Sequence, residues 1–292
     1  MKRILKPFFL SFLTIVVTSL LLAGNRKIQS IRSATEYLHE HAPYNTKIKP
    51  TSKIRKNKST ANQKNKKRKN SKKPTPEEIY ENADYLVKIK TFAATRIPLI
   101  NQVFYEYSGF GSGSIVKCAQ YEYCILTAYH VVDSSSAIFY AEFKDGSPPQ
   151  KLELIYGSTN YDSAILRFTD NRVKPNATAN IDRSSALKTG TAISTMGSSL
   201  LGDFWFNANG HLYAEVGPAD PVLQSILEGG GLNHPKLMFI SAKIFPGYSG
   251  GPILNKNGKL VGISIGYVKI EEASVYLGSP IDEIKTEMKI IK

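Results

Sequence analysis

Two cysteines and a single tryptophan are all that this 292-residue chain carries of either type, and its five histidines are scattered. No stretch has zinc-ligand spacing and none reads as a glycine-rich phosphate loop, so the reading contains no metal and no cofactor. Acidic residues are nearly missing from one end. Residues 1–75 hold 19 lysines and arginines against Glu36 and Glu40, whereas residues 76–292 hold 19 against 22 acids. The formal charge of +14 therefore belongs to a tail and says nothing about the rest of the chain. That tail also lacks aromatics after Tyr44, which leaves no surface for base stacking. Any contact it makes with nucleic acid, anionic lipid or a cell-wall polymer is weak and electrostatic.

The lysine-rich stretch is densest from Lys53 to Lys73, with Asn, Ser and Thr between the basic residues and hardly an apolar side chain. Such a segment cannot bury enough surface to offset its ordering entropy, so residues 25–76 read as a disordered linker. Ahead of it, Lys2, Arg3 and Lys6 precede an apolar run over residues 7–23. The run is long for a signal-peptide core and short for a membrane span. Residues 1–24 therefore read as an apolar helix that is either a signal peptide or a signal anchor. Small residues at a cleavage position are poorly placed, with Leu21 before Ala23 and Leu22 before Gly24. The balance favours an uncleaved anchor contacting the membrane through residues 7–23, and an extracytoplasmic location for the remainder of the chain.

Residues 77–292 form the folded domain. Short apolar and β-branched runs recur between turns at 85–91, 102–107, 111–118, 123–129, 137–143, 151–156, 163–168, 190–195, 204–207, 211–215, 237–241, 251–254, 259–267 and 273–277. That pattern predicts an all-β fold of barrels. Ser279, Pro280 and Asp282 then read as the cap, first turn and capping-box acid of a terminal helix, with Ile281, Ile284, Met288 and Ile291 on one face.

Three residues invite a chemical reading. Ser249 stands in Pro246-Gly-Tyr-Ser-Gly-Gly-Pro, where glycines leave its hydroxyl uncrowded, as a nucleophile needs. A solvated serine in a glycine-rich turn is the plain alternative. His130 closes the apolar run Ile125-Leu-Thr-Ala-Tyr-His, and is either its base or a satisfied core histidine. His39 and His41 lie in the polar N-terminal stretch, His211 follows Asn209-Gly210 in an expected turn, and His234 precedes Pro235 in an expected loop. Asp162 opens the strand Ser163-Ala-Ile-Leu-Arg-Phe, as the carboxylate that orients an imidazole or as a turn cap. Asp133 is nearer His130 in sequence but opens a serine-rich loop.

Taken together, Thr127-Ala-Tyr-His-Val-Val, Asp162-Ser-Ala-Ile-Leu and Pro246-Gly-Tyr-Ser-Gly-Gly-Pro-Ile occur in the order His, Asp, Ser, behind Gly109-Phe-Gly-Ser-Gly-Ser-Ile-Val. Over roughly residues 78–290 the chain resembles the chymotrypsin-fold serine proteases, most of all the bacterial high-temperature-requirement branch. The resemblance implies two six-stranded antiparallel barrels with the cleft between them, and a serine endopeptidase acting on protein or peptide. It makes His130 the general base and acid, Asp162 its orienting partner, Ser249 the nucleophile, and the N–H groups of Gly247 and Ser249 the oxyanion hole. It also places Lys243 at the substrate-pocket floor, with Ile263, Ser264 and Ile265 among the walls. Apolar walls suggest a small or medium apolar residue before the cut, whereas Lys243 suggests an acidic one.

Departures from the family pattern are equally informative. Tyr248 stands where trypsin-like members have aspartate and the high-temperature-requirement members usually asparagine, and no Ile-Val-Gly-Gly sequence is present. Activation by pairing a freshly cut N-terminus is therefore not expected. The 43 residues after Ser249 suffice for the end of a second barrel and a helix, without the PDZ module that relatives often carry. Cys118 and Cys124, at the tip of an expected hairpin, are either bridged or two free thiols. Two other functional classes stay open: a binding or scaffold protein on a catalytically weak protease fold, and a nucleic-acid binder resting on the lysine tail alone.

Overall fold

Strand pairing closes the chain on itself twice. In the computed structural model, which describes residues 73–97, 102–199, 204–217, 234–270, 273–289 and 291–292, α1 (Pro76–Glu81) precedes six strands. These are β1 (Leu86–Ile97), β2 (Gln102–Lys117), β3 (Tyr123–Thr127), β4 (Ile138–Phe143), β5 (Gln150–Ser158) and β6 (Ser163–Phe168). They pair antiparallel in the order β1-β2-β3-β6-β5-β4, and the barrel closes because β1 bonds β2 on one edge and β4 on the other. The second barrel uses β7 (Ala192–Ser198), β8 (Phe204–Val216), β9 (Leu237–Ile240), β10 (Pro252–Asn255), β11 (Leu260–Ile270) and β12 (Ala273–Pro280) in the order β10-β11-β12-β9-β8-β7. A short helix, α2 (Ile281–Met288), ends the fold. The anticipated apolar helix and residues 25–72 of the anticipated linker lie outside the described residues, while its last two residues, Thr75 and Pro76, are the cap and first residue of α1. No helix among the described residues is long and apolar enough to cross a membrane.

Closure leaves no sheet edge to protect, and fills each interior with β-branched and aliphatic side chains. Leu86, Ile89, Ile115, Ile125, Leu126 and Leu166 are wholly buried in the first barrel, as are Met196, Ile240, Ile253 and Val261 in the second. Two pairs of runs expected as separate strands are single bent ones. Segments 102–107 and 111–118 join in β2, where Ser108 is the extra residue of a bulge opposite Thr91 and Phe92 and donates its hydroxyl to the Thr91 carbonyl. Likewise 204–207 and 211–215 join in β8, so Asn209-Gly210 is no turn, and His211 pairs with Ala192 inside a strand. Bulges absorb residues that read locally as turns. The helix α1 is not anticipated by the strand pattern, although Thr75 and Glu78 form a reciprocal capping box there.

The terminal helix has Ile281, Ile284 and Met288 buried as expected, but it ends at Met288, so that Ile291 lies beyond it and bridges to Cys118, and its cap differs. Ser279 belongs to β12 and gives its hydroxyl to the Tyr161 carbonyl at 2.5 Å. The helix start is served from another element: Ser184 Oγ accepts the Asp282 N–H, while the Asp282 carboxylate accepts from the Ser185 backbone and hydroxyl. Cys118 and Cys124 are joined by a disulfide across the β2–β3 hairpin, with their Cα atoms 5.9 Å apart. Closing so short a loop constrains the unfolded chain by about 2–3 kcal/mol.

Candidate active site

The β3 strand ends at Thr127, two residues sooner than its apolar run suggests, and His130 sits in a single 3-10 turn over Tyr129–Val131. Asp162 occupies the turn before β6 in a left-handed conformation, φ 43°, which aspartate tolerates better than most residues. That conformation lets one carboxylate serve both ends of His130. Oδ1 accepts the His130 backbone N–H at 2.8 Å, and Oδ2 lies 2.6 Å from the ring Nδ1. The Asp162 carbonyl accepts the Tyr129 N–H at 3.1 Å. Three contacts thus fix the imidazole with Nδ1–H toward Asp162 and leave Nε2 as the acceptor.

The ring keeps 45% of its surface exposed while the carboxylate keeps 15%. Partial burial disfavours the charged ring, but the hydrogen bond and charge of Asp162, helped by Asp133, outweigh it and raise the His130 pKa above 6.5. The contact consequently favours the folded state fully below the unfolded pKa, and loses that contribution as pH rises through the higher folded value.

Barrel two grips the Asp162 turn. Besides Ser279 on Tyr161, α2 reaches it through Glu283, which accepts from the Tyr161 hydroxyl at 3.4 Å, and through Glu287, which accepts from the Asn160 amide at 3.0 Å. Lys236 holds Glu283 in place from the other side at 3.3 Å and Glu215 at 2.9 Å. His234, expected in an ordinary loop, is buried beside this turn. Burial pushes its pKa down, while Asp162 pulls the other way. No local signal marks this burial, because a His-Pro pair reads as a loop.

Ser249 lies in a tight turn. The Tyr248 N–H bonds the Phe245 carbonyl at 2.9 Å and the Gly251 N–H bonds the Tyr248 carbonyl at 2.7 Å. Ser112 of β2 binds it across the seam: its N–H donates to the Ser249 carbonyl at 2.7 Å and its hydroxyl to the Gly247 carbonyl at 2.5 Å. Ser198 completes this buried knot by giving its N–H to Ser112 Oγ. With both carbonyls engaged, the Gly247 and Ser249 N–H groups donate to nothing among the described residues. Gly247 has φ +97°, and a Cβ there would lie 2.3 Å from the Phe110 ring and 2.4 Å from the Ser198 carbonyl. Gly250, at φ +81°, presses against barrel one, where a Cβ would lie 2.2 Å from Thr127 Oγ1 and 2.5 Å from the Ala128 nitrogen. The neighbour of Ser249 thus touches the approach to His130. Among the described residues no hydrogen bond joins Ser249 Oγ to His130, whose ring Nδ1 is engaged by Asp162.

Tyr248 is buried and packs edge-on against Phe245 at 5.5 Å, its phenol pKa pushed up by burial. It replaces a charged or amide side chain with apolar packing. Of the expected pocket residues, Ile263 is wholly buried in the core, Ser264 is buried, and Ile265 is nearly so. Ser264 flanks the Ser249 turn, its carbonyl accepting from the Gly250 N–H and its own N–H donating to the Gly251 carbonyl. Lys243 is half-buried and accepts from Thr195 Oγ1 through its carbonyl at 3.0 Å.

Comparison with known proteins adds two findings. A family model described as the trypsin-like peptidase domain matches residues 111–263, a span that contains His130, Asp162 and Ser249. The protein named serine protease Do-like HtrA from Bacillus subtilis (strain 168) is 32% identical over 168 residues, covering 58% of this chain and 35% of that protein. The chain therefore spans about a third of the length of the curated relative it matches.

Proposed function

Since the chain belongs to the trypsin-like peptidase family, we propose that it is a serine endopeptidase working through an acyl-enzyme on Ser249. The observation that carries this reading is the pairing of His130 with Asp162 by two bonds at 2.8 and 2.6 Å, beside a serine turn with two unengaged N–H groups. Ser249 Oγ attacks the substrate carbonyl as His130 Nε2 takes its proton. The carbonyl oxygen becomes an anion facing the Gly247 and Ser249 N–H groups. Imidazolium then gives the proton to the departing amine, and the C–N bond breaks. Water, deprotonated by the same nitrogen, hydrolyses the ester and frees Ser249. Asp162 keeps Nδ1–H oriented and stabilises the charged ring. The substrate is a protein or peptide. The Cys118–Cys124 disulfide suits an oxidising compartment, which supports an extracytoplasmic site of action, tethered or secreted.

Rapid mixing of the full-length chain with a nitrophenyl ester tests the reading. One equivalent of nitrophenol should appear in a burst before the slower steady state. Intact binding without a burst or turnover would instead favour a scaffold on a protease fold. The pH dependence stems from the neutral ring that catalysis needs. Activity should rise with pH through a pKa above 6.5, because Asp162 raises that of His130. In Asp162→Asn the inflection should move to lower pH, which a kcat/KM profile of the two proteins would register. An inflection that stays put would separate the acid limb from His130.

A further inference from the structure

Exposed aromatic surface lies directly beside the nucleophile turn. Trp205 on β8 is 43% exposed and Phe245 39% exposed, and their rings meet edge to face at 6.0 Å. Phe245 is braced from beneath by buried Tyr248, the residue before Ser249. Phe110 adjoins the same turn at Gly247, with the Lys88 ammonium 4.7 Å over its ring. Single exposed apolar residues are ordinary on any protein. Two exposed rings in edge-to-face contact, the inner one packed on Tyr248 beside Ser249, form a binding surface continuous with the candidate site.

The two flanks of Ser249 decide what that surface binds. After the serine, Gly250 and Gly251 are tied to Ser264 on β11, next to Ile265. Before it, Gly247 lies against the Ser198 carbonyl at the end of β7, where Trp205 of β8 pairs with Gly197, and β10 stands between β7 and β11 in the barrel. A substrate whose acyl half lies along β11 therefore leaves its amine half against Phe245. We propose that Phe245 and Trp205 form a shelf for a large apolar side chain within the first two residues after the cleaved bond. This specificity on the leaving-group side rests on the serine-endopeptidase reading above.

Peptides sharing one acyl half, with Phe or Ser at each of the two positions after the bond, test the shelf on the full-length protein. The Phe-containing member at the preferred position should have about tenfold higher kcat/KM, the scale on which an apolar site discriminates. Trp205→Ser should bring the ratio of the two close to one. Equal kcat/KM for every pair in the unsubstituted protein overturns the proposal, as does a ratio unchanged in Trp205→Ser. The unsubstituted pairs decide the matter even where the variant fails to fold. A nitrophenyl ester of the same acyl half carries no peptide on the leaving side. Its burst with flat peptide ratios removes the shelf and keeps the protease. Absence of both burst and peptide cleavage removes the protease reading, and the shelf with it.

Discussion

Replacing Ser249 with alanine is expected to lower kcat on the order of 10⁶-fold, the scale seen when another serine protease loses its nucleophile. His130→Ala should cost nearly as much, because a serine hydroxyl without a base is a weak nucleophile. Asp162→Asn should lose about 10⁴-fold, the value for the corresponding change in the chymotrypsin case. In this chain Asp162 also holds the His130 backbone N–H, so the asparagine must satisfy that donor while it misorients the ring. Combining Ser249→Ala with His130→Ala should add almost nothing to either alone, since the residues act as one unit. Steady-state hydrolysis of a peptide, with circular dichroism to confirm folding, measures the whole series. Additive losses would mean that the two residues do not share a step.

Gly247→Ala should be strongly damaging although it removes no functional group. Its φ of +97° is unfavourable for alanine, and the added carbon would lie 2.3 Å from Phe110 and 2.4 Å from the Ser198 carbonyl. The Phe110 ring can rotate, but the Ser198 carbonyl is backbone within β7. Relief therefore comes by rotating the turn, which carries the Gly247 N–H away from the oxyanion. Loss of one such donor typically costs about 10²–10³-fold in kcat. The expected signature is a fall in kcat with little change in KM, because the interaction is made in the transition state. A Gly247→Ala protein with full kcat would show that this N–H takes no part in the reaction.

The sequence is most legible where chemistry imposes residue types. Ser249 between glycines, Asp162 opening a strand and His130 closing an apolar run stand out singly, and their order points to one family. The His130–Asp162 bond is then found at 2.6 Å. Strand positions are legible in the β-branched runs, whereas strand ends are not, because bulges at Ser108 and in β8 continue through residues that look like turns. Contacts between distant segments are illegible. Nothing local tells that Ser112 binds the Ser249 turn, that Ser279 gives its hydroxyl to Tyr161 instead of a helix cap, or that Glu283 and Glu287 reach the Asp162 turn. The burial of His234 depends on the same long-range packing.

Covalent labelling puts the central claim to its most direct test. Full-length protein treated with a fluorophosphonate should gain one adduct by intact mass, mapped by peptide fragmentation to Ser249. The modification should be absent in Ser249→Ala and strongly slowed in His130→Ala. A folded protein that takes up no label, or that carries it on another serine while Ser249 stays free, would contradict the assignment.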